Sequence, residues 1–458
     1  MPTNAPQAAA VWSSRFTFLL ASVGAAVGLG NFWKFPYITG VNGGGAFVLV
    51  YIAAAAFVAI PILIAEMAIG RRGRHSPARA MAAVAAESNR SSAWRFVGGA
   101  GVLVGFLIVT FYAVIAGWAM AYVWPTFAGT FTGIDATRSG EHFSALLASP
   151  AVLAFWSAAF LALNALISAR GLNAGVERAI NFLMPALFAA LIIVIGYAAL
   201  AGDFAAAFSF LFTPDFSKIN GQVVLAAIGQ AFFSIGVGMG IMMVYGSYLP
   251  KDVSLTRSGF LIAFADTLVA VLAGLAIFPL VFANGLDPGE GAGLIFVTLP
   301  IAFGNMPAGA VFGGMFFLLL VVAALTSSIA LIEAVLAWLG ERYGWSRRRA
   351  AWSVCAAAWV LSLATVFSFN LWADVRPLGM FERFAGMTAF DLIDYATSNV
   401  MMPAVALLIA VFVGWSMRRD LAADELGLGT GFHFNVWRNL LIRWVAPLAI
   451  VGILIANL

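Results

Sequence analysis

Apolar stretches long enough to cross a bilayer recur along this whole 458-residue chain, and they leave few folds open to it. A spanning helix needs about 20 mainly apolar residues, and in lipid the backbone must satisfy its own hydrogen bonds. Eleven segments qualify: roughly 15 to 40, 44 to 70, 96 to 124, 151 to 169, 178 to 200, 222 to 248, 257 to 283, 309 to 340, 349 to 369, 387 to 415 and 436 to 457. The chain is 63% hydrophobic and 10% charged, whereas a soluble domain is about a quarter charged. The expected fold class is an all-α integral membrane protein of eleven transmembrane helices.

Charge placement gives the orientation. Cytoplasmic loops collect Lys and Arg, and the loops after even-numbered segments do so here, together with the short N-terminal approach. That set is Arg15, Arg71, Arg72, Arg74, Arg79, Arg90, Arg95, Arg170, Arg178, Lys251, Arg257, Arg342, Arg347, Arg348, Arg349, Arg418, Arg419 and Arg438, against only Arg138, Lys218, Arg376 and Arg383 on the other side. The N-terminus is expected in the cytoplasm and the C-terminus outside it. The first fourteen residues lack the charged-then-apolar build of a signal peptide. A pI near 9.4 would suit nucleic acid, but charges confined to short loops between apolar runs argue against it. His75, His142 and His433 stand far apart, which argues against a transition-metal site, and the lone Cys355 can form no internal disulfide. No nucleophile, base and orienter set suggests an enzyme. The outer loops 125 to 150 and 284 to 307, the latter with Asp287 and Glu290, are long enough to fold over the outer face.

Two segments carry glycines where a continuous helix prefers other residues. Gly24 to Asn31 interrupts the first, and Ser234 to Gly240 the sixth. Glycine costs about 1 kcal/mol relative to alanine in a helix, yet membrane helices also use it for close packing, so either segment alone is ambiguous. Each opens one of two halves of five segments, about 15 to 200 and 222 to 415, followed by an extra segment at 436 to 457. Paired breaks in corresponding places point to a transporter's midplane site. A break frees carbonyls for a dehydrated cation and half-helix N-termini for a carboxylate.

The run Gly24 to Pro36, followed by Asn42-Gly43-Gly44-Gly45-Ala46-Phe47, resembles the first-helix signature of the neurotransmitter:sodium symporters. Similar matches continue in Gly229-Gln230-Ala231-Phe232-Phe233-Ser234, Leu325-Thr326-Ser327-Ser328 and Phe390-Asp391-Leu392-Ile393-Asp394-Tyr395, so the resemblance covers essentially the whole chain as one transporter domain. Eleven helices resemble the family's bacterial branch, which implies a LeuT-like fold of 5+5 inverted repeats in a bacterial inner membrane, working as a monomer in lipid. The implied function is sodium-coupled symport of a neutral amino acid by alternating access.

The resemblance implies two sodium sites. The first would use the carbonyl of Ala26 and the side chains of Asn31, Ser234 and Asp266, with the substrate's carboxylate. The second would use the carbonyls of Gly24, Val27 and Ala323 and the hydroxyls of Thr326 and Ser327. For Thr326, Ser327 and Ser328 the other reading is ordinary hydrogen bonding between helices. Asp266 would supply the fixed negative charge that other relatives obtain from chloride, and Ala270 one turn later supplies none, so chloride-independent transport is expected.

The substrate pocket implied is Ala25, Gly28, Ile108, Tyr112, Phe233, Gly236, Met239, Ser327 and Leu331. Gly28 replaces the aspartate by which monoamine carriers of the family pair an amine, so the substrate should bring its own carboxylate. A pocket without counter-charge disfavours Lys, Arg, Asp and Glu, and Met239 suits aromatic rings; Leu, Ile, Met, Phe, Tyr or Trp is expected. Lys34, Asp394, Phe233 and Gln230 resemble the outer gate. Trp12 and Glu341 match inner-gate positions, while Ala9 takes the place of the family's basic partner, with Arg15 as a conceivable substitute. Gly175 and Pro185 have the spacing associated with unwinding of the fifth helix, or mark a plain kink. Glu66 and Glu333 are expected to face the bundle interior. Two rival readings remain: a proton-coupled carrier, and a sensor that binds without translocating.

Overall fold

Val27 ends the first helix because its backbone turns extended, with φ −72° and ψ 103°, and the chain resumes helical conformation at Gly30. The computed structural model describes residues 11–289 and 293–457. Its first apolar segment is two rods, α1 (Arg15–Ala26) and α2 (Gly30–Val41), bent by 47°. There follow α3 (Gly45–Gly73), α4 (Pro77–Glu87), α5 (Ser92–Phe127), α6 (Ala136–Leu147), α7 (Pro150–Ser168) and α8 (Leu172–Ala201). After the short α9 (Phe204–Phe212) comes a second divided segment, α10 (Gly221–Ile235) and α11 (Ile241–Ser247). The remainder comprises α12 (Leu255–Ala283), α13 (Leu294–Gly304), α14 (Gly309–Tyr343), α15 (Arg347–Ser368), α16 (Ala389–Ser416), α17 (Arg419–Leu426) and α18 (Phe432–Asn457). Among the described residues there is no strand.

Nine of these helices are long and apolar enough to cross a membrane, and ten crossings result if α1 and α2 are one bent span. The expected count of eleven is therefore not established, because the segment at 222 to 248 is divided into α10 and α11, neither of which reaches the length of a span. The glycines of this second break are required by conformation. Gly236, Gly238 and Gly240 have φ of 75°, 82° and 73°, a left-handed region that other residues enter at a steric cost. Gly236 caps α10, its N–H bonding Phe232 O, and α11 begins after Gly240.

Burial separates a centre from a rim. In α14, 78% of the most apolar window is buried, against 22% in α18, so α14 lies inside the bundle and α18 presents its apolar side outward to lipid. Small residues let the inner helices close on the breaks: a Cβ on Gly105 of α5 would stand 3.2 Å from Met239 O, and one on Gly101 would stand 3.2 Å from Gly240 N. The two long outer loops do carry structure, in α6 and α13. Glu290 and Ala9 lie outside the described residues.

Candidate functional site

The first break exposes two carbonyls that a helix would have used. Gly28 N–H, which would continue the ladder to Gly24 O, donates instead to Asn31 Oδ1 at 2.9 Å, and Asn31 N–H donates to Gly28 O at 3.0 Å rather than to Val27 O. Both freed carbonyls turn toward α14, where Ser327 Oγ lies 3.2 Å from Gly24 O and 3.1 Å from Val27 O. A hydroxyl has one proton to give, so the two oxygens share a single donor. Beside them Thr326 Oγ1 donates to Ala323 O at 3.0 Å and faces Val322 O at 3.2 Å. Of the five residues named from sequence for the second cation site, Ser327 thus meets Gly24 O and Val27 O, and Thr326 meets Ala323 O. Ser328 points elsewhere, donating to Asn164 Oδ1 at 2.7 Å on α7, which is the helix-to-helix bond that its position allowed.

On the other side of the break, Asn31 Nδ2 donates to Asp266 Oδ1 at 2.8 Å, to Asp266 O at 3.1 Å and to Ser234 Oγ at 3.1 Å. Ser234 Oγ in turn donates to Asp266 Oδ2 at 2.7 Å, and Tyr51 OH to the same oxygen at 3.3 Å. Asn31, Ser234 and Asp266 therefore form one cluster, drawing on α2, α10 and α12, while Ala26 lies on the wall of the cavity described next. Asp266 is fully buried, and among the described residues no Lys, Arg or His forms an ion pair with it. A buried carboxylate needs a counter-charge or a proton. Tyr51 was not anticipated: an aromatic in an apolar helix gives no sequence sign that its hydroxyl turns inward.

Between these clusters lies a small cavity of about 30 Å³ lined by Ala25, Ala26, Gly28, Gly30, Ile108, Tyr112, Phe233, Gly236, Met239, Ile241, Ser327 and Leu331. Every residue named from sequence for the pocket lies on its wall; Gly30 and Ile241 were missed, being neighbours of the breaks whose own side chains carry no polar signal. Tyr112 OH accepts from Leu29 N–H at 3.1 Å, which fixes its ring against the first break. The volume is enough for water but not for a bulky amino-acid side chain, so such a guest requires Met239, Leu331 or Phe233 to change rotamer.

Over this cavity Lys34 Nζ lies 4.3 Å from the centre of the Phe233 ring and 3.9 Å from Asp394 Oδ1. Ser398 Oγ donates to the same Asp394 oxygen at 2.7 Å. Gln230 Nε2 donates to Gly30 O at 2.8 Å, holding α10 to the start of α2, while its Oε1 has no partner. Of the four residues expected at the outer gate, Lys34 thus meets both Phe233 and Asp394, and Gln230 meets Gly30 on the pocket wall.

The inner side is arranged otherwise than one ion pair would require. Trp12 is buried, its indole N–H donating to Tyr245 O at 3.0 Å and its backbone N–H to Tyr248 O at 3.2 Å, with its ring edge-on to both tyrosines. Glu341 faces a different partner, the loop before α4: Ser76 N–H and Oγ–H donate to it at 2.9 and 2.6 Å, with His75 Nδ1 at 3.4 Å and Arg79 at 3.9 Å. Arg15 forms no ion pair with Glu341 among the described residues. Glu333, fully buried, receives Tyr248 OH at 2.9 Å and both terminal nitrogens of Arg347, one at 2.7 Å. Glu66 Oε1 accepts from Gly238 N–H at 2.6 Å, so this carboxylate satisfies part of the second break, and the Met242 N–H also faces it. Near the start of α8, a Cβ on Gly175 would stand 2.1 Å from Ile167 O, so close approach to α7 accounts for that glycine.

Comparison with known proteins gives a consistent result. The chain is 35% identical over 442 residues to the uncharacterized sodium-dependent transporter YhdH of Bacillus subtilis, covering 96% of each chain. It is 34% identical to an uncharacterized sodium-dependent transporter of Haemophilus influenzae over the full length of both. Among solved structures it is similar to MhsT in complex with L-phenylalanine, with a TM-score of 0.89, 37% identity, and coverage of 98% of this chain and 100% of that one. The family description sodium:neurotransmitter symporter matches residues 9–140 and 158–458. With divided helices at its centre and that match over nearly its whole length, the chain belongs to the sodium:neurotransmitter symporter family, a family of transporters and not of enzymes.

Proposed function

We propose that this protein is a sodium-coupled symporter of neutral, hydrophobic or aromatic L-amino acids, independent of chloride. The observation that carries the reading is the surplus of acceptor oxygens at the first break. Gly24 O and Val27 O share one Ser327 proton, and Asp266 is buried without a cationic partner among the described residues. Neutral and carboxylate oxygens are the ligands that a hard cation prefers. Sodium at the Asp266 cluster, with Ala26, Asn31 and Ser234, would sit beside the amino-acid carboxylate, and a second at Gly24, Val27, Ala323, Thr326 and Ser327 would join α1 to α14. The substrate carboxylate would take Tyr112 OH and the N–H groups freed at the first break. Its side chain would lie among Ala25, Ile108, Phe233, Gly236, Met239 and Leu331.

The bound phenylalanine of the similar MhsT structure favours a bulky apolar substrate, as does a cavity wall without a free charge. Transport would proceed by alternating access, a bundle containing the divided helices rocking against a scaffold around the central site, with one divided helix from each of the five-helix halves at 15 to 200 and 222 to 415. The chain would sit in a bacterial inner membrane with a cytoplasmic N-terminus, an extracytoplasmic C-terminus and the monomer as functional unit. Each charge moved inward contributes about 2.3 kcal/mol per 100 mV, so two sodium ions with one zwitterion would make uptake electrogenic.

A second reading has one observation in its favour. A buried, unpaired Asp266 can be neutralised by a proton as well as by a metal ion, which would make this a proton-coupled carrier. Binding of radiolabelled leucine and tryptophan to purified protein, in sodium, potassium and choline buffers across pH 5.5 to 8.5, tests both. The sodium reading expects retention in sodium alone; equal retention in potassium overturns it, and retention that follows pH without sodium selects the proton reading. A flux assay in proteoliposomes excludes a pure sensor if labelled substrate accumulates.

A further inference from the structure

A large cavity away from the central pocket plays no part in this mechanism. It is a groove of about 710 Å³ that shares no residue with the central pocket, walled by α5, α14 and α15 near their arginine-rich ends. Its lining is apolar except for Arg95 and Ser353, and includes Leu103, Phe106 and two tryptophans, Trp338 and Trp345. Phe96 on its rim is 66% exposed, and the Arg95 guanidinium lies 4.9 Å above that ring. Across the groove the Arg349 guanidinium stacks over Trp345 at 4.4 Å.

Two features narrow the occupant. Among the described residues, neither Arg95, Arg348 nor Arg349 forms an ion pair with a carboxylate, and Glu341, on the same helix as Trp338, is already engaged by Ser76 and faced by His75 and Arg79. An apolar slot at a membrane interface accepts a hydrocarbon chain, and tryptophans favour that level. Unpaired arginines at its mouth favour a phosphate, which guanidinium holds by charge-assisted bonds, and basic pockets between helices on the cytoplasmic side bind anionic headgroups. We propose that the groove holds one anionic phospholipid of the arginine-rich leaflet, with an acyl chain against Leu103, Phe106 and Trp338 and its phosphate between Arg95 and Arg349. The groove is also walled by Ala78, two residues beyond Ser76, so the bound lipid braces the loop that holds Glu341.

The test is native mass spectrometry of the full chain, titrated with phosphatidylglycerol or phosphatidylcholine of identical acyl chains. One phosphatidylglycerol should be retained at collision energies that strip phosphatidylcholine. Each arginine near an anionic headgroup is worth about five-fold in affinity, so the double variant Arg95→Gln/Arg349→Gln should hold phosphatidylglycerol roughly 25-fold more weakly and lose the preference over phosphatidylcholine. Gly99→Leu supplies an independent arm: Gly99 lines the groove and a Cβ there meets nothing within 4 Å, so the fold tolerates it while the side chain fills the slot. It should displace the retained lipid with melting temperature unchanged. Equal retention of the two lipids by the native chain, undiminished phosphatidylglycerol on a folded double variant, or undiminished lipid on Gly99→Leu would each overturn the proposal.

Discussion

Gly28 and Ser327 face each other across the first break with no room between them: a Cβ on Gly28 would stand 2.4 Å from Ser327 Oγ and 2.6 Å from Tyr112 OH. Both hydroxyls belong to the candidate site, so the glycine sets the spacing at which the two can approach one guest. Overpacking a tight interior costs about 1–3 kcal/mol. Gly28→Ala should therefore lower sodium-dependent leucine affinity by roughly ten- to a hundred-fold, measured by scintillation proximity binding, while the protein still elutes as a folded peak. Native affinity in this variant would remove Tyr112 and Ser327 from the site.

Asp266 accepts hydrogen bonds from Asn31, Ser234 and Tyr51, and a neutral amide could retain part of that network without the charge. Wild-type uptake should be equal in sodium chloride and sodium gluconate. Asp266→Asn should transport in chloride and lose most of its activity in gluconate. A chloride requirement in the wild type, or none in the variant, defeats the idea that this acid replaces the anion.

Arg347 is the counter-ion of Glu333, which is fully buried. Breaking a buried pair from one side costs about 3–5 kcal/mol because the remaining charge is stranded. Arg347→Ala should lower the melting temperature markedly, and adding Glu333→Ala should restore much of the loss. Equal melting of the single variant and the wild type would mean that Glu333 finds compensation elsewhere.

The Lys34 to Asp394 contact at 3.9 Å is partly exposed and shared with Ser398. Such pairs contribute about 0–1 kcal/mol, and lysine lacks the bidentate fork of arginine. Asp394→Asn should change substrate affinity by less than about five-fold in equilibrium binding. A hundred-fold loss would show that the pair, rather than the Phe233 ring beneath it, closes the outer path.

A cavity of about 30 Å³ can admit a bulky side chain only by moving its walls, and Met239 is the most adaptable of them. In competition assays, leucine and tryptophan should displace one another and glycine should compete weakly, with lysine inactive. Met239→Ala should improve tryptophan relative to leucine. Glycine outcompeting tryptophan in the native protein would refute the apolar-pocket reading.

The helical class and the two breaks were legible because both are written locally, the first in apolar run length and the second in glycines. Ala25, Ile108, Met239 and Leu331, named through the family resemblance, lie on one cavity wall, although of these only Ala25 lies within a run that carries the resemblance. The inner face was not legible. Glu341 finds Ser76 and His75 on a connecting loop and Arg79 in the first turn of α4, and loops carry no period from which a long-range partner can be inferred. Tyr51 and Asn164 escaped for a related reason, as a polar atom within an apolar helix reveals its direction only when its neighbours are placed. The span count stayed open because unwinding divides the sixth apolar run into pieces shorter than a bilayer is thick.

Trp12 pins the start of α1 to Tyr245 and Tyr248 by an indole bond and ring edges, Glu177 accepts the neighbouring Ser13 N–H at 2.8 Å, and Glu341 and Glu333 are engaged by Ser76 and Arg347. This contact is mainly aromatic and involves no ion pair among the described residues, so added salt should loosen it little. Swinging the first rod outward wets a large aromatic surface, a penalty that grows as hydration of hydrocarbon becomes less favourable, so warming from the cold should favour the shut form.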